Sequence, residues 1–172
     1  MEPLEAFALF KLGRLSSDDI KSLADSWLCD GVFTDGLNEL CGAKNLVMAD
    51  LAPVFEQTMT ELNVPDLSKF DAANVIVRKR LEEITSNSLD PEEGASFLYW
   101  HVHHEITEEY PDREYMGDNL GLERVFCWLR EIWDCKDGSM ILYHTDLPRD
   151  KAEIKFREHL VEEAENWLEN AI

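Results

Sequence analysis

Three of the five histidines in this chain fall within four residues, His101-Val102-His103-His104, with Glu105 next and Glu108 three positions further on. On a helix, His101, His104, Glu105 and Glu108 are spaced by threes and fours and project from neighbouring positions of one face. Two imidazoles and two carboxylates could hold a metal ion, with Asp118 or Glu123 of a following helix completing the set as facing helices do in bundle cores. That alternative describes a helical metal-binding enzyme. Against it, ligands from one helix leave a tight site incomplete, the HExxH order of metalloproteases is missing, and the chain has no Glu-x-x-His pair. The plainer reading is a solvated face whose side-chain pairs contribute about 0.2–0.5 kcal/mol each. The sequence therefore predicts no metal, no cofactor and no catalytic residues.

Other catalytic templates fail on residue type. The chain has no GxSxG elbow, no GxxxxGK[ST] phosphate loop and no GxGxxG turn. Asp134-Cys135-Lys136-Asp137-Gly138 imitates the start of a calcium loop, but lysine and glycine stand at the third and fifth positions, where oxygens are needed. Arg78-Lys79-Arg80 is the sole basic cluster, and Glu82 and Glu83 follow at once, which marks a solvated helix surface.

The acids carry more information. The formal net charge is −20, and residues 81–123 hold twelve acids and one base, so about a quarter of the chain carries more than half of the excess. Such a balance repels phosphate backbones and anionic membranes and excludes nucleic acid as the expected partner. Glu105, Glu108, Glu109, Asp112, Glu114 and Asp118 surround Tyr110, Pro111, Tyr115 and Met116. Acids alone give solubility, whereas acids interleaved with aromatics suggest contact, because the rings supply desolvated anchors while the carboxylates steer a basic partner. Glu105, Glu108, Glu109, Tyr110, Asp112, Glu114, Tyr115 and Asp118 are the expected partner-binding residues.

The elements that must present these residues are helices. Apolar residues recur at three- and four-residue spacing between recognisable start and stop signals. The pattern predicts a first helix over Leu4–Leu12 ending at Gly13. A second, capped by Ser17, runs to Gly31 with Ile20, Leu23, Ala24, Trp27 and Leu28 inward, and a short turn holds Leu37 and Leu40. The stretch Leu46–Leu62 follows, with Pro53 in its first turn or a later start. Phe70, Ala73, Val77, Leu81 and Ile84 mark the next helix. Asp90-Pro91-Glu92-Glu93 is the clearest start in the chain, opening a helix expected to reach Glu109. Another is predicted from Asp118 to the Asp137-Gly138 turn, with Leu122, Val125, Phe126, Leu129, Ile132 and Trp133 inward, and a last one from Arg149 to Asn170 burying Ile154, Val161, Ala164, Trp167 and Leu168. The expected fold is all-α, a single compact bundle of about seven helices over residues 1–172, with at most one short strand near 140–144. A length of 172 residues suits one domain. Cys29, Cys41, Cys127 and Cys135 form no CxxC pair and read as reduced residues on buried helix faces. The acidic start Met1-Glu2-Pro3-Leu4-Glu5 lacks the basic end of a secretory leader, and no long apolar run spans a membrane, so a soluble cytoplasmic protein is expected.

The succession Leu-Ser-Ser-Asp-Asp-Ile-Lys-Ser-Leu-Ala-Asp-Ser-Trp-Leu (15–28), Leu-Asn-Glu-Leu-Cys-Gly (37–42), Val-Phe-Glu-Gln-Thr-Met-Thr-Glu-Leu-Asn-Val-Pro (54–65) and Asp-Pro-Glu-Glu-Gly (90–94) resembles a group of small, acidic, helical bacterial proteins. The resemblance covers most of the chain loosely and implies the helical fold; it carries over no catalytic residues. Some proteins of this appearance stand beside toxins as immunity partners. By that analogy the expected function is a non-enzymatic, acidic protein-binding module, an immunity-type inhibitor occluding a basic partner such as a toxin. A helical adaptor subunit anchored by Trp100 or Trp133 is the remaining alternative.

Overall fold

The computed structural model describes residues 1–44 and 47–170. Every regular element among them is helical, in the order α1 (Pro3–Lys11), α2 (Ser17–Cys29), α3 (Asp35–Gly42), α4 (Met48–Glu61), α5 (Lys69–Thr85), α6 (Pro91–Phe97), a π-helical segment π1 (Leu98–His103), α7 (His104–Ile106), α8 (Glu123–Asp137) and α9 (Arg149–Asn170). α6, π1 and α7 are continuous and form one rod, which brings the described helices to eight against the seven expected. The chain divides into two units, Met1–Val75 and Ile76–Ile172, with the boundary inside α5.

In the first unit, Ser16 rather than Ser17 caps α2. Its hydroxyl accepts the Asp19 N–H at 3.2 Å, and the Asp19 carboxylate accepts the Ser16 N–H at 2.9 Å, a reciprocal capping box. Ile20, Ala24 and Trp27 of α2 are buried, and Leu23 and Leu28 are half-buried. Leu37 and Leu40 are buried on α3, which is a full helix and not a brief turn. Pro53 lies well inside α4, beyond the first turn predicted for it. Its ring is tolerated because Pro53 and Ala49, whose carbonyl it leaves without a partner, both face solvent. The predicted start of this helix at Leu46 falls outside the described residues.

The second unit holds the acidic segment. Asp90 caps the rod through the N–H groups of Glu92 (3.0 Å) and Glu93 (3.1 Å), with Pro91 at the first helical position. α8 buries Val125, Phe126, Leu129 and Ile132, and α9 buries Ala152, Phe156, Leu160 and Ala164. The inward face of α9 is therefore rotated from the predicted one: Ile154 is exposed, while Val161, Trp167 and Leu168 are half-buried. α8 ends at Gly138 with φ +86°, and Arg149 covers the freed carbonyls, donating to Asp134 at 2.7 Å and Ser139 at 2.7 Å. Residues 140–144 form a loop and no strand. With no partner strand beside it, this segment gives the Leu142 N–H to the buried carboxylate of Glu131 at 2.9 Å. The cysteine expectation also needs correction: Cys135 alone is buried, Cys41 is half-buried, and Cys29 and Cys127 are exposed. No described helix is long and apolar enough to cross a membrane.

Candidate functional site

π1 sets the phase of the rod. Its wider turn of backbone lets Tyr99 reach the ring five residues on, His104 (5.1 Å between centroids), as well as His103 four residues on (6.2 Å), while Trp100 stacks on His104 (5.2 Å, planes 10° apart). Isolated π-helical turns are rare and occur frequently at functional sites. His101 and His104 are exposed, with His101 against Phe97 at 5.1 Å, whereas His103 points inward and is 4% exposed. The middle histidine, which the spacing argument for metal set aside, is thus the one the fold encloses. Among the described residues no group of three or more His, Cys, Asp or Glu side chains is placed to hold a metal.

His103 is tied to the loop that follows the rod. Its Nε2 lies 2.8 Å from Asp112 Oδ2, and since a carboxylate oxygen only accepts, Nε2 carries the proton. The second oxygen of Asp112 accepts the Gly117 N–H at 3.0 Å. The predicted helix start at Asp118 is replaced by an inward turn. Asp118 accepts the N–H groups of Arg113 (2.8 Å), Glu114 (2.8 Å) and Tyr115 (3.1 Å), which come before it in the chain, and α8 begins only at Glu123. Those N–H groups, Arg113 and Glu114 first, hold the Asp118 carboxyl below the usual carboxylate range. Asn119 closes the loop by donating to the Tyr110 carbonyl at 2.6 Å. The rod ends at Ile106, three residues short of the predicted Glu109, where the bonding tightens into a turn: the Glu109 N–H reaches the Ile106 carbonyl only three residues back, at 3.0 Å.

The eight predicted partner residues therefore divide. Glu108, Glu109, Glu114 and Tyr115 are exposed, Tyr115 at 62%. Glu105 and Tyr110 are half-buried. Asp112 and Asp118 turn their oxygens into the loop and shape it, which leaves the outward charge to the glutamates. Sequence reading gave no role to His103, the group that anchors this loop to the rod.

Beside Tyr115 lies a cleft of about 230 Å³ lined by Tyr99, Tyr115, Met116, Phe126 and Trp133 together with Glu123, Cys127 and Arg130. On α8 the lining positions 123, 126, 127, 130 and 133 form one stripe at helical spacing. Tyr99 stands nearly perpendicular to both Phe126 (83°, 5.4 Å) and Trp133 (87°, 5.5 Å). Gly117 permits the loop to close over Phe126: its φ is +85°, and a Cβ there would lie 2.5 Å from the Phe126 ring. Three buried polar atoms among the described residues have no hydrogen-bond partner, His103 Nδ1, Asn119 Oδ1 and Glu123 Oε2, and all belong to this region. Buried polar groups are ordinarily hydrogen-bonded, so these three atoms are places where a water or a ligand would be bound. The stripe was visible in the sequence, but it reads there as core packing, and only the position of Tyr99 shows that part of it faces a cleft. No protein-family model matches the chain, and no curated protein or solved structure matches it.

Proposed function

We propose that the protein is a non-enzymatic binding module whose acidic loop docks on a basic protein surface. The observation that carries this reading is the division of the loop's carboxylates. Asp112 and Asp118 fix the backbone from within, and Glu108, Glu109 and Glu114 are left outward beside exposed Tyr115 and Met116. A surface fixed before encounter avoids an ordering cost of about 0.5–1.5 kcal/mol per side chain immobilised at an interface. The surrounding field, −11 of the −20 charges within residues 81–123, favours encounter with cationic surfaces. In concrete form this is an immunity-type inhibitor that occludes the cationic, phosphate-binding cleft of a toxin acting on nucleic acid, with no chemistry of its own.

The test is capture of partners from source-cell lysate with wild type and with a Glu108→Lys, Glu109→Lys, Glu114→Lys variant, washed at low salt and at about 0.5 M, where screening leaves a reach of a few ångströms. The expected result is one basic protein in stoichiometric amount with wild type, its association slowed at least about ten-fold at low salt by the variant, whose melting curve is unchanged. Co-expression of the captured protein then shows whether it is toxic and relieved. Equal recovery and equal association with the variant refute the assignment. Asp112 is left intact because reversing its charge would disrupt the loop's attachment to His103.

A further inference from the structure

The aromatic cleft beside Tyr115 has a separate chemistry from the outward glutamates. Its lining is Tyr99, Tyr115, Phe126 and Trp133 with the soft Met116, and its charged lining residues are Glu123 and Arg130. Glu123 Oε2 is buried without a partner. Arg130 lines the cleft but its guanidinium is paired with Asp134 at 3.2 Å, and Arg124, next to Glu123 in the chain, is paired with Glu163 at 3.2 Å. A cleft of about 230 Å³ is smaller than the roughly 300–1,000 Å³ of drug-sized sites, so it suits a compact head group. Ring faces attract cations, and an unpaired carboxylate beside them adds charge complementarity. The form of the cation follows from what the walls lack. A primary ammonium brings three N–H donors that each need an acceptor, whereas a trimethylammonium group has none and presents only apolar methyls to the rings. A metal ion would need several ligands, and no such group is placed here among the described residues.

We propose that this cleft binds a trimethylammonium group, enclosed by Tyr99, Tyr115, Phe126 and Trp133 with Glu123 as its counter-charge. The assignment does not depend on the protein-partner reading, because the residues that carry it, apart from Tyr115 and Met116, are not those of the outward acidic surface. The head group arrives on a small molecule or on a methylated lysine, and the two sources share the recognition chemistry.

Calorimetric titration of the full chain at constant ionic strength tests it, with choline chloride, its neutral isostere 3,3-dimethylbutan-1-ol, and short peptides carrying trimethyl-lysine or lysine. The expected result is saturable binding of choline at one site, with the neutral isostere and the lysine peptide each at least about ten-fold weaker. Glu123→Gln keeps the shape of the side chain, and Tyr115→Ala removes a residue that is mostly solvated. Both variants fold and both weaken choline by roughly ten-fold. Tighter binding of the trimethyl-lysine peptide than of choline identifies a protein-borne group, and the reverse identifies a free one. Equal binding of choline and its isostere, unchanged affinity in Glu123→Gln, or no saturation up to about 10 mM choline or trimethyl-lysine peptide overturns the proposal.

Discussion

Gly117→Ala tests the loop closure that places Tyr115 and Met116 at the cleft, and Gly138→Ala is its matched control. Both glycines have nearly the same positive φ, +85° and +86°. Placing an L-residue in left-handed backbone costs roughly 1–2 kcal/mol, and that term is common to the two variants. They differ in surroundings. An added methyl at Gly138 meets nothing within 4 Å, whereas at Gly117 it lies 2.5 and 2.7 Å from two carbons of the Phe126 ring and 3.3 Å from the Leu122 carbonyl carbon. Phe126 cannot swing away freely, because it is 5% exposed and its ring is 5.4 Å from both Tyr99 and His103. Overpacking of this kind costs about 1–3 kcal/mol. The expected losses are therefore roughly 1–2 kcal/mol for Gly138→Ala and 2–5 kcal/mol for Gly117→Ala. With a urea slope of about 2 kcal/mol/M, the midpoints of the two variants should differ by roughly 0.5–1.5 M. Urea unfolding followed by circular dichroism and tryptophan fluorescence measures this directly. Coincident midpoints would refute the close approach of loop and ring.

Asp112→Ala should lower stability by about 1–3 kcal/mol by leaving His103 Nε2 and the Gly117 N–H without their acceptor, whereas Glu114→Ala on the same loop should stay within about 0.5 kcal/mol of wild type in the same urea assay. Because the Asp118 carboxyl is held low, its contribution is fully present above the ordinary aspartate range near 3.9 and is lost as pH falls through the folded value. Hydrogen exchange at the Arg113, Glu114 and Tyr115 amides should therefore show less protection at the acid end, and Asp118→Asn should remove that pH-dependent step. Burial, together with a hydrogen bond that the thiol donates to the Asp25 carboxylate, pushes the Cys41 thiol up to about 11, so at pH 8 only about one thiol in a thousand is ionised. Timed alkylation with mass spectrometry should show Cys41 reacting far more slowly than an unstructured reference cysteine peptide, and equal rates would contradict its enclosure.

Signals that act within one turn of chain were legible in the sequence. The Asp90-Pro91 start, the Gly138 stop and the Ser16-to-Asp19 region all appear close to where local capping chemistry puts them, because a cap needs only neighbours three residues away. Asp118 departs from the sequence expectation for the same reason. An aspartate before an apolar run looks like an N-cap, yet its oxygens take N–H groups on its amino-terminal side, and that choice depends on how the loop meets the rod. The inward phase of α9 and the exposure of Cys29 and Cys127 likewise depend on tertiary neighbours, which periodicity within a single helix does not specify.

The histidine cluster shows how far a spacing argument reaches. On a regular α-helix, His101, His104, Glu105 and Glu108 would share a face, and the cluster would look like a ligand set. The rod becomes π-helical at Leu98 and stops at Ile106, so that face is not maintained: Glu108 lies in the turn, and His101 and His104 rest on Phe97 and Trp100. The same change turns His103 and Tyr99 toward Phe126. One wide turn of backbone thus connects the two features of the unit. Through His103 and Asp112 it fixes the loop that carries the acids, and through Tyr99 it supplies the back wall of the cleft. Restoring regular helix by deleting a single residue within Leu98–His103 should disturb both together, lowering choline binding and slowing partner association in parallel, whereas substitutions confined to Glu108, Glu109 and Glu114 should affect association alone.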